Sequence, residues 1–352
     1  GHEGLNLFRS DLINLFSSLL STSSHENENL LSPFALQNIP GRGIISSVST
    51  RLRIWIKEVR APFFTAAIVP SAIGAALAWH DRGTFNLFLL VLATLGVVLT
   101  HAGANVVNDY FDFRNGSDRV NKNKSPFNGG SPFLIDGTLA PKQVYRGAII
   151  LFALGGMIGL VLSYLVSSLI MVLWVIGVLL AYCYTSPKVN LAALGVGEIA
   201  VGFGFGPLIV AWSFLAQTGT LTLSAFLGGI PIGMLIALVL FINEFPDMEA
   251  DRYAGKNHWV VRVGLAKASV WYAVLMGMVF VSIVILWIVR IYPEWALIAL
   301  IPAIVAAGAA RIVTSKHVRI GEILPAQAKT IQTHLITGLL ICLGLVLSRI
   351  AL

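Results

Sequence analysis

Residues 85–112 read FNLFLLVLATLGVVLTHAGANVVNDYFD. The first 24 positions, through Asn108, contain no Asp, Glu, Lys or Arg. At a helical rise that run is about 36 Å long, enough to cross a hydrocarbon layer of about 30 Å. Where it ends, two carboxylates appear three positions apart, Asp109 and Asp112, followed by Asp118-Arg119. A second apolar run ends the same way, in Asn243-Glu244-Phe245-Pro246-Asp247 followed by Asp251-Arg252. Both read Asn-acid-x-x-Asp, then Asp, then Arg. Carboxylates at the edge of a membrane span are costly and mark function.

Composition agrees with this reading. Of 352 residues, 56% are hydrophobic and only 12% charged, against roughly 25% charged in a soluble domain. The chain is expected to be an all-α polytopic membrane protein. The runs are continuous rather than alternating, which excludes a transmembrane β-barrel. The net charge of +7 is spread between apolar runs instead of gathered in one patch, so no nucleic-acid partner is expected. Cys183 and Cys342 both lie inside apolar runs, and no disulfide or zinc spacing exists.

About nine spans are predicted, at 61–79, 85–108, 143–163, 167–184, 193–215, 221–243, 267–289, 293–313 and 330–351. They form one transmembrane domain over 51–352. Residues 1–50 differ. Their polar stretch Ser21 to Asn29 reads as a disordered tail or a non-native leader. Its flank, Leu5 to Phe16, has the apolar spacing of an amphipathic surface helix as the alternative. Basic residues fix the expected orientation. Arg60, Arg119, Lys122, Lys124, Lys188 and Lys256 all fall on one side, whereas the other keeps only Arg82, Arg290 and Arg349. Both acidic clusters therefore lie on the side expected to be cytoplasmic.

Positions i and i+4 share a helix face. Asn108 with Asp112, and Asn243 with Asp247 and Asp251, thus form two stripes, while Asp118 reaches back from beyond the Asn115-Gly116 turn. So many acids together repel unless cations intervene. Either neighbouring Arg and Lys neutralise them, or they hold a divalent metal. Oxygen-only ligands point to Mg²⁺, which shares its coordination with substrate phosphates. The loop Asn121 to Pro132, with Lys122, Lys124 and glycines, suits a diphosphate, and equally a plain basic loop. The segment Tyr182 to Lys188 offers ring faces for a carbocation and a lysine for phosphate; its other reading is an interfacial aromatic belt.

Taken together these residues resemble the UbiA superfamily of intramembrane prenyltransferases over residues 51–352. The first motif of that family, Asn-Asp-x-x-Asp and then Asp, matches Asn108, Asp109, Asp112 and Asp118, with a longer gap before Asp118 than is usual. The second matches Asn243, Asp247 and Asp251, and a Tyr-x-x-x-Lys element matches Tyr184 and Lys188. Asn128-Gly129-Gly130-Ser131, Gly195 to Glu198 and Asp251 to Lys256 look most like the 1,4-dihydroxy-2-naphthoate prenyltransferases of menaquinone synthesis. The resemblance implies about nine helices and Mg²⁺ held by Asp109, Asp112, Asp118, Asp247 and Asp251. Asn108, Asn243, Arg60, Arg119, Lys122, Lys124, Lys188 and Lys256 would hold the diphosphate of an isoprenyl donor. Asp112, Asp247, Tyr184 and Lys188 would carry catalysis, and the acceptor would be an aromatic ring or a lipid. Rival readings are transfer to a glycerol phosphate ether lipid, a cation-coupled transporter, and a CDP-alcohol phosphotransferase. The last lacks its Asp-Gly and Ala-Arg-Gly spacing here.

Overall fold

The computed structural model describes residues 42–316 and 320–351, apart from 122, 124, 126 and 129. Side chains are described from Thr50 onward, except those of Lys316 and Ile320. The chain divides into two units, Gly1–Arg51 and Leu52–Leu352. A helix, α1 (Arg42–Glu58), begins inside the stretch read as a polar tail. The possible amphipathic segment at Leu5 to Phe16 and the polar stretch at Ser21 to Asn29 lie outside the described residues.

Eight helices among the described residues are long and apolar enough to cross a membrane. They are α2 (Ala61–Arg82), α3 (Leu87–Asn115), α4 (Pro141–Leu165), α6 (Gly197–Thr218), α7 (Leu223–Tyr253), α8 (Trp259–Ile288), α9 (Glu294–Ser315) and α10 (Leu324–Ile350). The remaining predicted span is the shorter apolar helix α5 (Leu169–Thr185). Together they match the expected count. No strand occurs among the described residues, only an isolated bridge between Ser125 and Asn128.

Local chemistry sets the ends. Asn86 caps α3 by accepting the Leu89 N–H at 3.2 Å, and Gly116 ends it in the left-handed region at φ 88°. The helix therefore runs seven residues past the expected end of span two and carries Asn108, Asp109 and Asp112 on its last turns. Helix α7 likewise continues through Pro246 to Tyr253, so the second motif is also helical. Helix α8 starts earlier than expected, with His258 as its cap, and Gly264 (φ 76°, ψ 160°) interrupts it.

Helix α3 lies along α4, and α5 packs on both. Helix α2 packs on α10 and on the second half of α6, while α7 touches α6, α8 and α10, and α9 packs between α8 and α10. Phe214, Leu215, Ile232 and Leu235 are fully buried where these elements meet. Large apolar side chains such as Phe88, Leu160, Tyr164 and Ile304 face outward instead, as lipid-facing surfaces do. Helices α6 and α7 approach closely because Gly206 faces Gly229 and Gly233, and a Cβ at Gly206 would collide with the backbone of both. A π-turn at Gly204–Leu208, around Pro207, sits at this contact.

Candidate active site

The two acidic motifs come together at the ends of α3 and α7. Lys256, on the turn after α7, joins them. Its Nζ lies 2.9 Å from an Asp112 carboxylate oxygen and 3.3 Å from Asp251 Oδ1. Burial works against the charge on Lys256, but Asp112 and Asp251 outweigh it and hold the ammonium well above its ordinary range. Arg60, just ahead of α2, pairs with Asp109, which is only 1% exposed. Burial opposes the Arg60 charge too, and Asp109, Asp118 and Asp112 together overcome it. Like-charge repulsion is thus offset by two cations, one per flank of the cluster.

Asp118 sits in a one-turn helix, Ser117–Val120, directly after Gly116, and is buried. The longer gap does not take it away from its motif. A Cβ added at Gly130 would stand 2.9 Å from Asp118 Oδ2 and 3.2 Å from Asp109 Oδ1. The two carboxylates therefore line one cradle, which only a glycine at 130 leaves open. Gly130 adopts φ 64°, a conformation that also favours glycine.

The loop after the first motif lies across the second. Asn121 Nδ2 donates to Asp247 Oδ1 at 2.7 Å, and Asn128 Nδ2 donates to the same oxygen. Asn123 Nδ2 donates to the Pro246 carbonyl at 3.3 Å, and Asn243 Nδ2 to the Phe127 carbonyl at 2.9 Å. At its far end the loop turns back to the first motif. The Ser131 N–H donates to Asp109 Oδ2 at 3.2 Å, and the Ser131 hydroxyl donates to Glu58. Glu58 is fully buried; burial and the nearby Asp109 push its carboxyl up to about 7, against the pull of Ser131 and Arg60.

Beside the cluster an apolar cavity of about 290 Å³ opens between α2, α3, α5, α6 and α7. Its polar end is lined by Arg60, Asn105, Asn108, Tyr184 and Asn243, and its deeper walls by residues such as Leu173, Trp174, Leu208 and Trp212. The leading asparagine of each motif thus faces the cavity, with the carboxylates following on the same helix ends. Asn108 donates to the Thr185 hydroxyl at 3.4 Å, and Asn243 accepts from Gln327 Nε2 at 2.9 Å.

The structure brings together Arg60, Asn108, Asp109, Asp112, Asp118, Asn243, Asp247, Asp251 and Lys256, with Tyr184 on the cavity wall. Arg119 is exposed, its guanidinium 4.8 Å from the centre of the Phe113 ring. Lys188 is exposed on the turn after α5 and pairs with no carboxylate among the described residues. Lys122 and Lys124 lie outside the described residues. The sequence reading passed over Glu58 and gave Ser131 no role in the site; among the described residues of the loop, the asparagines make the bonds to the second motif. His258 is a further residue of the site. His258 is buried, 3.2 Å from Asp251 Oδ2 and 3.3 Å from Glu244 Oε2. Burial works against its charge, but Glu244 and Asp251 prevail and push it up to about 10. The signal for it was its position seven residues after Asp251, at a helix start.

An all-oxygen donor set, a cradle held open by Gly130 and flanking cations fit Mg²⁺ bound together with phosphate. An apolar cavity with that head fits a chain carrying a diphosphate.

Comparison with known proteins agrees. The chain is 28% identical over 306 residues to the 1,4-dihydroxy-2-naphthoate octaprenyltransferase of Escherichia coli (strain K12), covering 85% of this chain and 97% of the relative. It is 27% identical over 223 residues to UbiA prenyltransferase domain-containing protein 1 of Xenopus tropicalis, covering 62% of each chain. It therefore spans less than two thirds of that relative's length. A solved UbiA homolog from Archaeoglobus fulgidus, bound to GPP and Mg²⁺, superposes with a TM-score of 0.57 over 85% of this chain and 100% of the homolog at 14% identity, a likeness of fold. Residues 67–320 match the UbiA prenyltransferase family, and with more than half of its length accounted for, the chain belongs to that family of membrane-embedded transferases.

Proposed function

We propose that the protein transfers an isoprenyl chain from its diphosphate to an aromatic acceptor, a quinone precursor of the dihydroxynaphthoate kind, in a Mg²⁺-dependent reaction. The observation that carries this reading is the meeting of both acidic motifs at the polar mouth of one apolar cavity. Family membership removes the transporter reading. The aromatic acceptor is favoured by the likeness to the Escherichia coli enzyme, which spans nearly all of that relative.

In this reading Asp109, Asp112 and Asp118 from α3 and its following turn, with Asp247 and Asp251 from α7, would hold Mg²⁺. When bound, the metal supplies positive charge to the departing diphosphate. Arg60 and Lys256 sit where they donate to phosphate oxygens and keep the carboxylates from repelling one another. The Asn108 and Asn243 side chains orient the head at the cavity mouth. The apolar walls take the isoprenyl chain and exclude water, which would otherwise capture the allylic cation. Tyr184 presents its ring to the same space, where an aromatic face stabilises a cation. The basic loops favour a cytoplasmic position for this mouth.

The test is incubation of the purified protein with labelled isoprenyl diphosphates, Mg²⁺ and a panel of acceptors, followed by mass spectrometry. A prenylated dihydroxynaphthoate is expected. A prenylated glycerol phosphate ether lipid, with no aromatic product, would overturn the acceptor assignment.

A further inference from the structure

Beside the second motif, three buried side chains from three elements converge. Glu198 opens α6, Glu244 lies in α7 and His258 caps α8; they are 2%, 6% and 3% exposed. One ligand atom from each lies within 4.8 Å of the other two. Glu198 Oε2 is buried with no hydrogen-bond partner among the described residues, and Glu244 Oε2 is buried with only the His258 ring nitrogen beside it. Two of the remaining positions are already held. Glu198 Oε1 accepts the Trp259 N–H at 2.7 Å, and His258 Nε2 lies 3.2 Å from Asp251 Oδ2.

We propose that Glu198, Glu244 and His258 form a second divalent-cation site of zinc type, separate from the acids that face the diphosphate. His258 turns Nε2 to Asp251, and its Nδ1 faces Glu244 Oε2 across 3.3 Å. A long contact of 3.5 Å from the Val261 N–H reaches the same nitrogen, as it does in a helix cap. Without a metal, a proton on His258 fills this gap. A proton serves His258 and Glu244 alone and leaves Glu198 Oε2 without a partner. A metal ion serves all three. Ligands about 2.0–2.2 Å from a tetrahedral ion stand about 3.4 Å apart. The His258–Glu244 separation already fits, and the widest spacing in the trio must contract by at most about 1.4 Å. One imidazole nitrogen and two carboxylate oxygens are zinc-type donors, whereas Mg²⁺ prefers oxygen alone. The surroundings complete it: a carboxylate behind the histidine, a backbone N–H behind Glu198, and an apolar wall that includes Phe203, Phe241 and Trp259 beside Glu198. Such an ion ties α6, α7 and the start of α8 together beside Asp251.

The test reads zinc rather than transfer, so its outcome is independent of the prenyl reaction. The purified full chain is equilibrated with Zn²⁺ in excess Mg²⁺, and metal content is measured per chain. One tightly held Zn²⁺ is expected. Glu198→Gln should weaken it about tenfold or more, while Asp109→Asn retains it. X-ray absorption at the zinc edge on the unmutated protein should show one imidazole among oxygen ligands, which covers the case of a variant that fails to fold. Absence of tight Zn²⁺, its loss in Asp109→Asn, or a spectrum without imidazole would overturn the site.

Discussion

Lys256 holds one carboxylate from each motif, and removing it isolates what it separates. Lys256→Met would leave Asp112 and Asp251 buried without their shared cation, a loss of about 3–5 kcal/mol. Tm should fall, and added Mg²⁺ should recover more of it than in the unmutated protein; an unchanged Tm would contradict this role. Glu58 gives a prediction with a pH sign. Its folded pKa of about 7 lies above the ordinary 4.5, so the fold favours the protonated form. Stability from that form is full below pH 4.5 and is lost as pH rises through about 7. Glu58→Gln stays neutral at every pH. It should raise stability above pH 7 by on the order of 2 kcal/mol and change nothing near pH 4; thermal melts at the two pH values check this. The aspartates were legible from their spacing because i and i+4 repeat locally. The bonds from Asn128 to Asp247 and from Gln327 to Asn243 were not, because each joins side chains 119 and 84 positions apart, and no local pattern records them.

At the scale of elements, the apolar runs located each span, but the predicted bounds stopped short of the polar helix ends. Helices α3 and α7 extend past their apolar runs because their last turns bury carboxylates against Arg60 and Lys256 instead of exposing them to lipid. The glycines of α6 divide between close packing and cavity lining. Gly204 lines the cavity, while Gly202 and Gly206 face α7. Gly233→Val would drive a side chain into the Gly202 carbonyl and the Gly206 Cα. A loss of about 2 kcal/mol or more is expected, seen as a lower Tm with no specific loss of metal binding at matched folding.

Across the whole domain, outward-facing apolar side chains and an inward cluster of acids divide the protein into a lipid-facing shell and a polar mouth over an apolar cavity. The cavity itself is testable without touching the acids. At Gly177 an added Cβ meets only Leu208 Cδ2, at 3.6 Å, so Gly177→Phe should fold and send its ring into the cavity. Transfer from long isoprenyl diphosphates should drop at least tenfold relative to short ones, in side-by-side turnover assays. Equal rates for both lengths would place the chain elsewhere.

The central claim is that the two motifs act as one metal-dependent clamp on a diphosphate. Its most direct test is prenyl transfer by Asp112→Ala and Asp247→Ala, each purified and shown to melt cooperatively. Mg²⁺-dependent transfer should vanish in both variants. Unmutated rates in either would contradict the clamp.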